Sequence, residues 1–191
     1  GKLPDARAWL AGYFAKIKGV KGTLPPQRMS WRQGLWTWVG TFVGISLLAQ
    51  LHTAVHKSER DPTVLVGSFG ALSTLLFGLP HAPLAQPRIV IGGHVISVPV
   101  AIVVHKVFGE RLIWLQASLS LATALALMAV TGMTHPPAGA MVLLFITGST
   151  ELKEKWAYFL FLPALTGCVI LMAVAMLVNN ASSRRNYPTI W

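Results

Sequence analysis

Residues 134–148 of the 191-residue chain are THPPAGAMVLLFITG, an apolar segment with two consecutive prolines near its start. At 1.5 Å per residue, a helix from Pro136 to Gly148 reaches only ~20 Å, which is too short for a hydrocarbon core of ~30 Å. Proline is favoured at the first helical position. The segment therefore predicts a helix that begins inside a membrane, where its first N–H groups would lack partners and would favour an anion.

The composition of the whole chain indicates an integral membrane protein. Hydrophobic residues make up 53% of the chain, charged residues make up 12%, and the mean hydropathy is +0.57. These values lie outside the usual range for a soluble globular domain. The formal net charge is +10, from 16 Lys and Arg against six Asp and Glu. A basic excess in such a protein favours anionic lipid headgroups, and we expect no nucleic-acid partner.

Four further segments are long enough to span a bilayer, because each exceeds the ~20 residues that a spanning helix needs. They cover residues 34–55, 89–109, 112–133 and 156–178. A second short segment, residues 62–79, also begins at a proline. We therefore predict an all-α membrane protein with four long transmembrane helices and two short helices, which are either re-entrant or half helices.

The order of these segments is long, short, long, followed by the same order again. This order is compatible with a 3+3 inverted repeat, as in many transporters. If both short segments cross, the two termini lie on the same side, which carries more Lys and Arg and is predicted to face cytoplasm, stroma or matrix. The predicted domains are a basic arm at residues 1–33, a transmembrane domain at 34–180 and a C-terminal tail at 181–191.

The N-terminal arm carries seven of the basic side chains: Lys2, Arg7, Lys16, Lys18, Lys21, Arg28 and Arg32. Its apolar residues recur at helical spacing, and they are Trp9, Leu10, Tyr13, Phe14 and Ile17. This pattern predicts an interfacial helix that lies among anionic headgroups. A disordered basic tail is the alternative.

The candidate binding site centres on His135 and the helix start that follows it. Small residues there would let a solute approach the backbone closely. The residues grouped in this site are His135, Pro136, Pro137, Ala138 and Gly139. His135 either donates to an anion or carries a proton, since its unperturbed pKa lies near neutrality, or it only caps the helix.

Polar residues elsewhere extend this candidate site. His94 lies inside the third predicted helix and needs a polar cavity or a partner there. Ser68 and Gly70 lie near the start of the other short helix, where Ser68 could face His135 across the pseudo-axis. Gln86 and Arg88, in a loop with three prolines, either form the mouth of a pathway or, for Arg88, anchor to headgroups.

The remaining polar and small residues favour structural roles. We expect His52, His56 and His105 to be interfacial, because they lie near segment ends. The intramembrane serines and threonines are expected to bond to backbone carbonyls or neighbouring helices, and Gly40 with Gly44 indicates helix packing.

Enzymatic chemistry finds little support in the sequence. The carboxylates lie only at segment edges, the histidines lack metal-ligand spacing, and no serine stands in a nucleophile elbow. The single cysteine, Cys168, excludes an intrachain disulfide. We therefore expect neither an enzyme nor a cofactor or metal site.

The tripeptide His135-Pro136-Pro137 and several other motifs resemble the HPP family of integral membrane proteins. The likeness covers roughly residues 22–191 and extends through Asp61-Pro62, the segments 67–71 and 80–88, Gly92-Gly93-His94, and the terminal segment 187–191. Members of this family occur in bacteria and plastids and are described with four membrane-spanning segments. Plastid and cyanobacterial members are associated with nitrite transport.

The resemblance implies transport of a small inorganic anion, most specifically nitrite. The alternative is a non-transporting accessory or structural subunit of a larger membrane complex. We expect a homo-oligomer, because so few membrane elements leave the short helices in need of shielding. The membrane is a bacterial plasma membrane, a plastid inner envelope or a mitochondrial inner membrane.

Overall fold

The computed structural model describes residues 6–17, 28–55 and 67–191, and it contains two compact units, Gly1–Ser30 and Trp31–Trp191. The described part of the first unit contains the helix α1, Ala6–Ile17. Its Tyr13 and Phe14 side chains are exposed and lie edge to face. The predicted helix in the arm is thus confirmed, and its contact with lipid stays a prediction. His56, which we expect to be interfacial, lies outside the described residues.

The second unit contains the four long apolar helices that the sequence predicts, each long enough to cross a membrane. Three of them are α2 (Trp31–Val55), α4 (Pro87–Phe108) and α5 (Ile113–Val130). The fourth is a broken helix from Trp156 to Asn180. It comprises α8 (Trp156–Phe159), a wider π-helical turn (Leu160–Leu165) and α9 (Thr166–Asn180). Two shorter apolar helices are α3 (Ser68–Ser73), which continues through a π-helical turn (Thr74–Gly78), and α6 (Pro136–Thr147). A further short helix, α7, covers Thr150–Glu154.

The short helix α6 runs in the same direction as α4, and it begins deeper inside the bundle than α4 does. The ring centroids of His94 and His135 are 5.4 Å apart, and those of His105 and Phe145 are 6.0 Å apart, so α4 and α6 advance in the same direction. His94 is seven residues after Pro87, a depth of ~10 Å along the helix. Therefore α6 begins well inside the bundle and ends near Glu110. We call the two ends of the bundle the Arg185 end, where α4 begins, and the Glu110 end.

The other short helix runs toward the opposite end. The Ser68 hydroxyl lies 3.7 Å from the sulfur of Met141, in the middle of α6, whereas the Phe77 carbonyl accepts a hydrogen bond from Arg185 at 3.0 Å. Helix α3 thus begins inside the bundle and ends at the Arg185 end. Both short elements are helices that begin inside the bundle, and the described residues form helices without strands, which confirms the predicted all-α class. The inverted repeat stays a prediction.

The α3 segment, which comprises α3 and the π-helical turn after it (Ser68–Gly78), packs its aromatic side chains against glycines of the long helices. A Cβ at Gly40 of α2 would overlap the Phe77 ring, and a Cβ at Gly167 of α9 would overlap the Phe69 ring. Gly44 similarly contacts Leu171 and Phe77. Small residues allow such close approach between membrane helices. The packing role predicted for Gly40 and Gly44 is confirmed.

The predicted helix at residues 156–178 is interrupted at Leu162, nearly two turns from its start. Leu162 has extended dihedral angles (φ −136°, ψ 114°) and precedes Pro163. A proline ring clashes with a helical conformation at the residue before it, which pushes that residue toward the extended region. Pro99, by contrast, leaves α4 continuous.

The C-terminal segment closes the Arg185 end. The Arg185 guanidinium is 3% exposed and donates to the carbonyls of Gln33 and Phe77 and to the side chains of Thr37 and Asn179. These partners lie on α2, α9 and the end of the α3 segment. Residues 181–191 are therefore part of the second unit and join its helices.

Candidate functional site

His135 lies in the interior of the bundle, immediately before α6. Its side chain has no exposed surface. The Nδ1–H donates to the backbone carbonyl of Leu84 at 3.0 Å, whereas Nε2 has no hydrogen-bond partner among the described residues. Buried polar atoms are almost always satisfied in folded proteins. An open nitrogen at this depth therefore marks the position as a candidate binding site.

The close approach of α4 to His135 depends on a glycine. A Cβ at Gly93 would lie 2.6 Å from the Cβ of His135 and 3.3 Å from the carbonyl oxygen of Met133. Real side chains do not pack that closely. The Gly92-Gly93-His94 motif thus brings the backbone of α4 against the start of α6, and it places the next residue beside His135.

His94 is the second buried histidine of the site. It is fully buried, and its Nδ1–H donates to the carbonyl of Val90, one turn earlier, at 2.8 Å. The sulfur of Cys168 on α9 lies 3.5 Å from Nδ1 and 3.6 Å from Nε2 of His94, so it contacts the ring near both nitrogens. The predicted need of His94 for a polar partner is met by Val90, Cys168 and the neighbouring His135 ring.

The backbone at the start of α6 differs from the sequence-based expectation of free N–H groups. Pro136 and Pro137 have no N–H, and the next two amides, those of Ala138 and Gly139, both donate to the carbonyl of His135 at 3.1 and 3.4 Å. The helix start therefore presents no unpaired amide at these positions. An anion here would need a donor from a side chain.

The carbonyl partners fix the tautomers of the two histidines. A carbonyl only accepts, so Nδ1 carries the proton in both neutral rings, and Nε2 then offers a lone pair. At His135 that lone pair is open. The neutral site thus accepts hydrogen bonds, and it donates only when His135 takes up a proton.

The other predicted site residues near α6 are mainly packed. Pro137, Ala138 and Gly139 are buried, and Pro136 is exposed. Gly139 faces Leu121 and Leu125 of α5.

Ser68 and Gly70 do not meet His135. Ser68 is buried with its hydroxyl against Met141, about two turns along α6, and Gly70 is exposed with open space around its Cα.

The residues proposed for the mouth of a pathway lie at the Arg185 end. Gln86 is 1% exposed; its amide group donates to the carbonyls of Pro80 and Ala82 and accepts from the N–H groups of Thr189 and Ile190. Its hydrogen-bonding capacity is taken up by the chain itself. Arg88 is exposed.

A charged cleft at the Glu110 end was not singled out from the sequence. The Lys153 ammonium donates to the Glu110 carboxylate at 2.8 Å, and Lys153 is only 6% exposed. The hydrogen bond from Lys153 holds the pKa of Glu110 below its usual value. A cavity of about 230 Å³ lies here and includes His105 and both residues of the ion pair. These charges are far apart in sequence, so no local pattern could have joined them.

Across residues 6–17, 28–55 and 67–191, no three His, Cys, Asp or Glu side chains lie close enough to hold a metal ion.

Comparisons with known proteins give a family and two relatives. A family model described as the HPP transmembrane region matches residues 26–188. Two Dictyostelium discoideum proteins, each named as a transmembrane protein, are 36% and 35% identical over 99% and 97% of this chain. The chain spans 60% and 65% of their lengths. No solved structure matches.

Proposed function

The chain belongs to the HPP transmembrane family, and from this premise we propose that it carries a small inorganic anion across a membrane, with nitrite as the most specific candidate. The substrate comes from the resemblance to plastid and cyanobacterial members associated with nitrite transport. The two relatives are named only as transmembrane proteins and add nothing about substrate. The observation that carries the proposal is the open Nε2 of the buried His135.

The chemistry of this nitrogen requires that the anion travel with a proton. A lone pair repels a bare anion but accepts a hydrogen bond from the O–H of a protonated acid. If the proton moves to Nε2, the imidazolium then donates to the anion that remains, and each charge offsets the other in the dry interior. In either case one proton and one anion occupy the site together, and the proton leaves with the anion.

His94 supports this exchange without replacing His135. Its Nδ1–H is held by the Val90 carbonyl, and the Cys168 sulfur packs against the ring near both nitrogens, so His94 already has partners within the protein. The ring centroid of His94 lies 5.4 Å from that of His135, so the His94 ring forms one wall of the proposed solute site. We assign His135 as the residue that binds solute and His94 as a positioning residue.

Proteoliposomes that contain nitrite and the purified full chain test the proposal. The measured quantity is nitrite flux above that of protein-free liposomes, since nitrous acid itself crosses lipid. We expect the wild type to exceed this background. The excess flux of His135→Gln should be at least about tenfold lower than that of the wild type. The variant loses a hydrogen bond to a charged group, which is worth roughly 1.5–3 kcal/mol.

The matched control is His81→Gln, because His81 is an exposed histidine in the loop at the Arg185 end and binds the amide of Asn186. It should keep wild-type flux. Equal flux from wild type and His135→Gln would contradict the proposal. The accessory-subunit alternative would instead be supported if the wild type gave no excess flux and the chain associated stoichiometrically with a native membrane complex.

A further inference from the structure

A row of small and polar residues lines the contact between α4 and α5, from the histidine pair to the Glu110 end. Gln116, Ser120 and Ala124 follow one another at four-residue spacing on α5, and all are buried. The buried face of α4 similarly carries Ser97 and Ala101 between His94 and His105. Residues four apart lie on one face of a helix. Each helix therefore presents one continuous row to its neighbour.

One hydrogen bond sets the register between the two rows. His105 Nδ1 lies 3.2 Å from the side-chain oxygen of Gln116, and the helices are antiparallel across a tight turn. One helical turn further into the bundle, Ala101 is opposite Ser120. The next turn brings Ser97 opposite Ala124. When the register set by His105 and Gln116 is extended along the two rows, the two serines fall on successive turns, one on each helix.

The hydroxyls of these two serines are unusual. Both serines are fully buried, and neither Oγ has a hydrogen-bond partner among the described residues. A serine in a membrane helix normally bonds to the carbonyl one turn earlier. Ser118, which faces away from the seam, does so by donating to Trp114 at 2.9 Å. Ser73 is a third serine without a partner, but it belongs to α3 and lies outside this row.

Unsatisfied buried hydroxyls on successive turns indicate a polar path. Leaving a buried donor unpaired is costly, whereas a bridging water or a polar solute would satisfy both serines. Ser97 is also one turn from His94, whose ring centroid lies 5.4 Å from that of His135, so the row of polar residues reaches the histidine pair.

The other end of the row opens at the charged cleft. His105 lines this cleft together with Glu110 and Lys153. Gln116 holds the turn there, because its amide donates to the carbonyl of Gly109 at 2.8 Å. The nearly buried Lys153 supplies a positive charge that can draw an anion away from bulk water when its ion pair with Glu110 opens.

We infer that the seam between Ser97 and Ser120 is a water-lined conduit that joins the His135 site to the cleft at Lys153 and Glu110. The cargo assigned to the conduit, a small inorganic anion with its proton, rests on the proposed function. The conduit needs no backbone amide and no residue of the Arg185 end. It assigns the Glu110 end as one mouth of the pathway.

Cysteine accessibility tests the conduit without any transported substrate. Ser120→Cys, Ser97→Cys and the control Ser118→Cys are each made in a Cys168→Ser background and reconstituted. The probe is Ag⁺ in chloride-free buffer, because it is small, needs water to reach a thiol and binds the thiolate. The readout is the fraction of thiol that a maleimide can still label after the protein is unfolded.

Ser118 lies on the exposed face of α5, which lipid rather than water would cover in a membrane. We therefore expect Ser120→Cys and Ser97→Cys to lose their thiol at least about tenfold faster than Ser118→Cys, because thiol reactivity requires contact with water. Rates for both seam variants as slow as that of Ser118→Cys would overturn the conduit. Reactive seam thiols, together with no nitrite flux from the wild type, would leave the conduit standing and reject the proposed function. Nitrite flux with unreactive seam thiols would do the reverse.

Discussion

At the scale of single residues, His135 keeps one open hydrogen-bonding position on its ring, at Nε2, while its Nδ1 and its backbone carbonyl are paired. Its Nδ1–H is taken by Leu84, and its carbonyl accepts the first two amides of α6. What remains is a lone pair on Nε2. The site is therefore built to receive a proton donor, and the prolines that follow His135 remove the amides that would otherwise have bound a bare anion.

The position of His135 is predicted to depend on Gly93. A methyl group at Gly93 would meet the Cβ of His135, which cannot move without shifting the start of α6. We expect Gly93→Ala to lower nitrite flux while the protein still folds. The control is Gly70→Ala, because nothing lies within 4 Å of a Cβ built there. Unchanged flux in Gly93→Ala would contradict this role.

The sequence identified His135 and His94 separately, from their depth in apolar segments. It could not predict that the two rings meet, because that contact depends on how closely α4 packs against α6. The same limit applies to the serines. Ser118 and Thr131 bond to backbone carbonyls as expected, whereas Ser97 and Ser120 do not, and only tertiary packing separates the two groups.

At the scale of helices, the half helix α6 and the α3 segment differ in what they contact. Helix α6 packs against α4 and α5 through small residues, whereas the α3 segment inserts Phe69 and Phe77 into glycine gaps on α9 and α2. The segment lengths and their initial prolines predicted two short helices. The direction of each was not predictable, since it depends on long-range contacts such as that of Phe77 with Arg185.

The glycine gap on α2 gives a prediction of stability. Gly40→Ala places a methyl group against the Phe77 ring, and overpacking of this kind costs about 1–3 kcal/mol. We expect a lower Tm in detergent and partial recovery in the double variant Gly40→Ala with Phe77→Leu. Gly34→Ala is the control on the same helix, because its Cβ meets nothing within 4 Å and a helical alanine is favoured by up to ~1 kcal/mol. Similar Tm values for the two alanine variants would count against the packing account.

At the scale of the whole molecule, the two ends of the bundle of four long helices and two short helices differ in structure. The Arg185 end is held by the C-terminal segment. Tyr187 donates to the carbonyl of Ala85 at 2.9 Å, and burial raises the pKa of its phenol. The Glu110 end instead carries the charged cleft. The long helices were predictable from length and hydropathy, whereas this difference depends on pairs distant in sequence.

The closure of the Arg185 end predicts a strong dependence on one arginine. Arg185→Met removes the charge-assisted hydrogen bonds to the carbonyls of Gln33 and Phe77 and leaves them to share the single Thr37 hydroxyl, at a cost of roughly 2–3 kcal/mol. Thermal unfolding in detergent should therefore begin at a clearly lower temperature. Arg184→Met removes the same charge from an exposed neighbour and should change Tm little. An equal effect of the two variants would show that charge, rather than the buried hydrogen bonds, stabilises this end.

The driving force for nitrite entry into proteoliposomes tests the central claim most directly. A pH gradient and a potassium–valinomycin potential are imposed separately, and nitrite flux is measured above that of protein-free liposomes and of His135→Gln. One proton with one anion carries no net charge, so we predict flux that follows the pH gradient and does not respond to the potential. Flux that follows the potential and ignores the pH gradient would contradict the account.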